Sequence, residues 1–144
     1  MFLRLDHAGM SVKNMEKVIS FYQDIIGMKK VFDRIFDSPL ADIIGEKGAK
    51  ARIVHMRLHD SVLELFDYDY PKGRLPFLDQ SQSDFGLTHI GFMVSDFNET
   101  YERLSANGVK FLGKPVEIRP GVYVAYFQGA EYEICEMREI QDSQ

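Results

Sequence analysis

The chain has 144 residues, 45% hydrophobic and 27% charged, with a net charge of −5, which suits one globular domain able to bury roughly 70% of its unfolded surface. Lys, Arg, Asp and Glu are mixed without a basic patch, so nucleic acid is not an expected partner, and no apolar run nears the ~20 residues of a membrane span. The single cysteine, Cys135, and a start, Met1 to Asp6, without signal-peptide character point to a reducing cytoplasm and to a small molecule or a second copy of the chain as partner.

The first predicted element is a strand over Leu5-Asp6-His7-Ala8-Gly9-Met10-Ser11-Val12. A helix follows, with Asn14 as N-cap, Val18, Phe21, Tyr22 and Ile25 as its apolar face and Gly27 as its stop. Strands are expected over Lys29–Asp37, Ala51–Leu58 and Ser61–Tyr68. A short helical turn falls within Pro39–Lys50, and His59-Asp60 makes a hairpin turn. The polar connection from Asp69 to Phe85 contains Pro71, Gly73 and Pro76 and is long for a compact domain, as a lid or binding loop would be.

Leu87-Thr88-His89-Ile90-Gly91-Phe92-Met93-Val94 then repeats the first strand, with His89 following His7 by 82 residues. A second helix is capped by Asp96, with Glu99 completing a capping-box pattern, Phe97, Tyr101 and Leu104 facing inward and Gly108 ending it. Strands are expected over Val109–Leu112, Gly121–Gln128 and Glu131–Arg138, with a turn at Gly129-Ala130. Strand, helix and three strands, twice over, is an α+β fold of two βαβββ modules whose mixed sheet curls into a cup. The chain reads as one domain, 1–144, with module one at about 1–70, a linking loop at about 69–86 and module two at about 87–138.

Side chains alternate across a strand, so its two faces separate on paper. Ala8, Met10 and Val12 share an apolar face that packs under the following helix, which turns His7, Gly9 and Ser11 the other way. Ile90, Phe92 and Val94 do the same in the second copy, leaving His89 on the opposite face with Gly91 and Met93. In the last strand of each module, Leu63 and Leu65 flank Glu64, and Cys135 and Met137 flank Glu136. Each carboxylate therefore faces away from its apolar neighbours. Taken singly, a strand histidine is usually solvated or structural, and a lone Glu is usually the wet face of a strand. One His and one Glu recurring at equivalent places in two repeats point instead to a metal site. Two neutral imidazoles and two carboxylates balance one divalent cation and suit Zn, Ni, Co, Mn or Fe(II).

The chain resembles the vicinal oxygen chelate superfamily, which includes glyoxalase I, methylmalonyl-CoA epimerase, extradiol dioxygenases and bleomycin-resistance proteins. The resemblance rests on Leu5-Asp6-His7-Ala8-Gly9 followed by Phe21-Tyr22 and Gly27-Met28, on Leu63-Glu64-Leu65, on Thr88-His89-Ile90-Gly91-Phe92, and on Tyr126-Phe127 leading to Glu136-Met137. It implies the glyoxalase-like fold, the metal ligands His7, Glu64, His89 and Glu136, and a homodimer acting on a small substrate with neighbouring oxygens. Where the family often has Asp-Pro-Asp-Gly in the final hairpin, this chain has Gly129-Ala130-Glu131-Tyr132. That leaves Glu133 as a competitor, with Glu136 preferred for its distance from Phe127. Ser11 and Tyr68 stand where bacterial glyoxalase I enzymes carry an arginine and an asparagine that hold glutathione, which argues against glutathione as co-substrate.

The implied chemistry is that of a metal-dependent isomerase or lyase. Glu136 removes a proton α to a carbonyl, Glu64 stays as a ligand, and the metal stabilises the oxyanion. The alternatives are an Fe(II) extradiol dioxygenase, which uses two histidines and one carboxylate, and a non-catalytic sequestering protein of the bleomycin-resistance type. Among other residues, Lys72, Arg74 and Arg119 read as solvated charges and His59 as a wet turn residue. His55 shares a face with Ile53 and Arg57 and is a candidate to line the cup, although a lone strand histidine is more often simply packed or exposed. Tyr123 and Tyr126 lie on opposite faces, so at most one reaches the pocket. Cys135 packs quietly beneath a helix.

Overall fold

In the computed structural model, which describes residues 1, 3–74 and 82–141, the two modules are two compact units, Met1–Leu75 and Pro76–Gln144. The first holds β1 (His7–Ser11), α1 (Met15–Ser20), β2 (Lys29–Phe36), α2 (Ser38–Ile44), β3 (Lys50–Leu58) and β4 (Ser61–Tyr70). The second holds β5 (Ile90–Met93), α3 (Phe97–Ala106), β6 (Val116–Arg119), β7 (Val122–Gln128) and β8 (Ile134–Ile140). Each unit forms a four-stranded mixed sheet, ordered β1-β4-β3-β2 in one and β5-β8-β7-β6 in the other. In both, the opening strand runs parallel to the last strand of its module, and the remaining pairs are antiparallel. This is the twice-repeated α+β fold that the alternation and the internal echo imply. No helix among the described residues is long and apolar enough to cross a membrane.

The helices begin where their caps dictate. Asn14 Oδ1 accepts the Lys17 backbone N–H at 3.1 Å, and Asp96 Oδ1 accepts that of Glu99 at 3.0 Å. The Phe97 N–H is taken by Glu139 Oε2 of β8 at 3.2 Å, which pins α3 to its own sheet. The first helix differs from expectation. After Ser20 it widens into a π-helical turn, Phe21–Ile26, that stops at Gly27 in the left-handed region (φ 92°). One extra residue in the turn rotates the apolar stripe, so Tyr22 alone of the predicted Phe21, Tyr22 and Ile25 set is fully buried. Val18, Tyr22, Val54, Leu65, Leu104, Phe127, Cys135 and Met137 are among the most deeply buried side chains. Cys135 has no exposed surface, on the side of β8 that α3 packs against.

Two further expectations are corrected. The expected strand over Val109–Leu112 is not one: Phe111 makes a single bridge to Phe127, and Gly113 and Pro115 interrupt the edge before β6 pairs with β7. The last hairpin is longer than a turn at Gly129-Ala130 allows, because β8 begins at Ile134 rather than Glu131. The Glu133 carboxylate accepts the backbone N–H groups of Ala130, Glu131 and Tyr132 at 2.7, 3.1 and 3.1 Å, which holds residues 129–133 as a loop. The expected lid or binding loop, Asp69 to Phe85, lies partly outside the described residues. Its described start includes Lys72, whose Nζ donates to the Tyr68 carbonyl at 3.2 Å.

On the helix-facing side of the first sheet, Arg52 of β3 grips Asp33 of β2 through Nε–Oδ1 and Nη2–Oδ2 bonds of 2.8 Å each, and also reaches Glu16 of α1. These bonds from the guanidinium hold the Asp33 carboxyl far below the usual carboxylate range. A carboxylate whose folded pKa is depressed stabilises the fold above its unfolded value and loses that contribution as pH falls. Because both side chains keep some solvent contact, Asp33→Asn should cost only about 1–2 kcal/mol near neutral pH. Urea titrations should show that deficit shrinking below pH ~4; a deficit unchanged by acid would refute the ion pair as its source.

Candidate metal site

β1 lies parallel beside β4 with Gly9 opposite Glu64, so His7 and Glu64 emerge on the same face, opposite Leu63 and Leu65. His7 Nε2 stands 3.5 Å from Glu64 Oε2. In the second unit Gly91 is opposite Glu136, and His89 Nε2 stands 3.1 Å from Glu136 Oε2. Gly91 lies against its carboxylate, where a Cβ would make ordinary contact with Glu136 Oε2 at 3.5 Å, whereas a Cβ on Gly9 would meet Phe66 at 3.6 Å. Both carboxylates are the better-buried partners, with side chains 20% and 16% exposed against 47% and 31% for the two histidines.

The other ring nitrogen of each histidine is engaged by the residue just before it. His7 Nδ1 is 3.1 Å from Asp6 Oδ2, and His89 Nδ1 is 2.8 Å from Thr88 Oγ1. The bond from His7, aided by Arg4, lowers the Asp6 carboxyl below its ordinary range. A partner at Nδ1 fixes each ring so that Nε2 faces the carboxylate, the orientation that metal-binding histidines adopt. Asp6 and Thr88 were not singled out from the sequence, although their position, one before each histidine, is legible there.

The surroundings of the two carboxylates differ. Across the antiparallel pairing, His55 of β3 is opposite Glu64, whereas Tyr126 of β7 is opposite Glu136. His55 Nε2 lies 2.8 Å from Glu64 Oε1, and its ring stacks on Phe32 at 4.6 Å between centroids. It is thus neither merely packed nor merely exposed. Tyr126 stands edge-on to His89, 5.1 Å between centroids, with its hydroxyl pKa raised by burial and then by the charge of Glu136. Tyr123 turns away and packs on Phe97 of α3. Glu133, the competitor for the last ligand position, is committed to its own loop.

On the face of Glu136 and two residues further along β8 is Arg138, partly buried, with a buried Nε that has no hydrogen-bond partner among the described residues. His59 occupies its turn with φ 50°, and Arg74 and Arg119 are exposed. A surface hollow of about 670 Å³ beside α2, lined by Asp37, Ser38, Asp42, Lys47 and Lys50 among others, contains none of these histidines or glutamates. No group of three or more His, Cys, Asp or Glu side chains fit to hold a metal ion is present among the described residues. Each unit presents one His–Glu pair.

Residues 4–130 match the family model of the Glyoxalase/Bleomycin resistance protein/Dioxygenase superfamily. His7, Glu64 and His89 fall inside that span and Glu136 beyond it. The chain is 27% identical over 120 residues to the uncharacterized protein YetH of Bacillus subtilis, covering 80% of this chain and 81% of that one. It is 29% identical over 128 residues to Glyoxalase I of Saccharomyces cerevisiae, covering 76% of this chain and 36% of the yeast protein, so it spans about a third of that enzyme's length. Among solved structures, a glyoxalase family protein from Bacillus cereus superposes with a TM-score of 0.87 at 21% identity, covering 96% of this chain and 95% of that one. The fosfomycin resistance protein FosX of Listeria monocytogenes superposes with a TM-score of 0.67 at 17% identity, covering 98% and 96%. FosX has also been solved in complex with Mn(II) and a sulfate ion.

Proposed function

This chain belongs to the Glyoxalase/Bleomycin resistance protein/Dioxygenase superfamily, the vicinal oxygen chelate superfamily, and on that footing we propose that it is a metal-dependent isomerase or lyase that removes a proton α to a carbonyl. The observation that carries the reading is the matched pair, His7 with Glu64 and His89 with Glu136. Two ligands ~2.0–2.2 Å from one cation, at tetrahedral or octahedral angles, stand roughly 2.8–3.6 Å apart. Both observed Nε2–Oε2 separations, 3.5 and 3.1 Å, fall in that interval. The donor set of imidazole nitrogen and carboxylate oxygen suits Zn, Ni, Co, Mn or Fe(II) alike. The proposed ligand set takes one His–Glu pair from each module, from one chain or from two copies in a homodimer. The chain then works as one domain of two modules.

When bound, a divalent cation supplies Lewis-acid polarisation of neighbouring substrate oxygens. The residues of the chain supply the rest. Glu136 takes the α-proton onto a carboxylate oxygen as the C–H electron pair moves toward the carbonyl, and it returns the proton at the adjacent carbon on the same face. Glu64 remains a ligand. Asp6 and Thr88 meet Nδ1 of the two imidazoles and orient their Nε2 atoms. Arg138, a guanidinium on the same face as Glu136, suits a substrate that carries an anionic group. Ser11 and Tyr68, in place of a glutathione-holding arginine and asparagine, suit a reaction without that co-substrate.

Thermal unfolding with added Mn(II), Co(II), Ni(II) or Zn(II) tests the reading. A cation present at 100 times its Kd stabilises by about 2.7 kcal/mol, so Tm should rise by several degrees. The loaded protein should exchange the α-proton of enolisable 2-oxo acids in deuterated water without taking up oxygen. Oxygen uptake with a catechol would favour the dioxygenase instead, and tight drug binding without turnover would favour a sequestering protein. No Tm response to any of these cations would end the metal reading.

A further inference from the structure

We infer that His55 is a positioning residue that restricts Glu64 to binding a cation through Oε2 alone. The inference rests on the metal reading above and adds a residue to it. The two carboxylate oxygens of Glu64 face two different imidazoles. Oε1 is 2.8 Å from His55 Nε2, a full hydrogen bond, while Oε2 is 3.5 Å from His7 Nε2, too long to be a strong one. A carboxylate acceptor at 2.8 Å requires the proton on His55 Nε2, so Oε1 is spoken for and Oε2 is the oxygen left for a cation shared with His7.

His55 is itself held. It sits mid-strand in β3, directly opposite Glu64, and its ring stacks on Phe32 at 4.6 Å and 29°. Phe32 stacks in turn on Phe36 and packs against the buried cluster of Leu40, Ala49, Ala51 and Ile53. A donor fixed by a core cluster cannot follow its carboxylate, so Glu64 keeps one rotamer and one free oxygen. The second unit lacks this device. Glu136 is faced by Tyr126, and His89 is its one polar side-chain partner among the described residues. One carboxylate is tethered and the other is free to leave, which is the division of labour that a permanent ligand and a mobile base require.

Titration calorimetry with Mn(II) alone, paired with the visible spectrum of the Co(II)-loaded protein, tests the inference on four proteins: the parent, His55→Ala, His55→Gln and Glu64→Gln. His55→Ala should weaken cation binding 10–100-fold, the usual effect of removing a partner behind a metal ligand, and should change the Co(II) spectrum as Glu64 turns bidentate or dissociates. His55→Gln, which keeps an N–H donor of similar reach and guards against misfolding as the cause, should restore affinity and spectrum most of the way. If Glu64→Gln weakens binding but His55→Ala leaves both affinity and spectrum as in the parent, the tether is refuted and the metal reading survives. If all four proteins bind alike, Glu64 is no ligand and both readings fall.

Discussion

Glu136→Gln should lower α-proton exchange by about 10²–10⁴-fold, the contribution typical of a positioned general base. The amide matches the carboxylate in volume and can still meet His89 Nε2, 3.1 Å away, so the fold should be unaffected. What it loses is basicity. Cation affinity should fall much less than the exchange rate, because His7, Glu64 and His89 remain, and a parallel measurement of Mn(II) binding separates lost base from lost ligand. Glu133→Gln is the matched control. Its carboxylate is occupied by three backbone N–H groups of the 129–133 loop, so exchange should persist while stability drops by about 1–2 kcal/mol. The reverse pattern, with exchange lost in Glu133→Gln and kept in Glu136→Gln, would place the base on the wrong glutamate.

Much of this was legible because strands enforce a period of two. Once Ala8, Met10 and Val12 are assigned to the helix, His7 has only one place to go, and the same holds for Glu64 between two leucines. What alternation cannot provide is the partner across the sheet, which depends on register. In the first hairpin even that was available. A two-residue turn at His59-Asp60 puts Leu58 opposite Ser61 and, counting back, His55 opposite Glu64, as the pairing shows. Alternation alone makes His55 a candidate for the cup-lining face but does not set it against Glu64, because a histidine in mid-strand carries no local signal of its partner.

In the second hairpin the same counting misleads. A turn at Gly129-Ala130 would place Tyr123 opposite Glu136, but the pairing has Tyr126 there. The three-residue shift comes from Glu133, whose side chain folds back on its own backbone and lengthens the loop. Neither residue period nor turn composition encodes that bond. The edge strand failed for a related reason. Phe111 and Val116 both pair with β7, but Gly113 and Pro115 divide the edge between them, and pattern reading saw only the first part.

Adjacent residues on β4 should give opposite phenotypes, because one belongs to the core and the other to the site. Leu65 has no exposed surface, pairs with the equally buried Val54 and lies on the face that α1 packs against. Leu65→Ala removes three buried carbons and leaves a cavity in a central strand, so it should cost about 2.5–5 kcal/mol. That is a large share of the roughly 5–15 kcal/mol available to a domain. Urea denaturation should show a lower midpoint with little change in slope. The molecules that remain folded should bind Mn(II) much as the parent does, since Glu64 and His55 meet on the other face. Glu64→Gln should do the opposite, with a nearly unchanged midpoint without metal and a cation affinity down by at least 10-fold. If Leu65→Ala weakened cation binding in fully folded protein as severely as Glu64→Gln does, the two faces of β4 would not be independent. The site would then depend on core packing as much as on its own ligands.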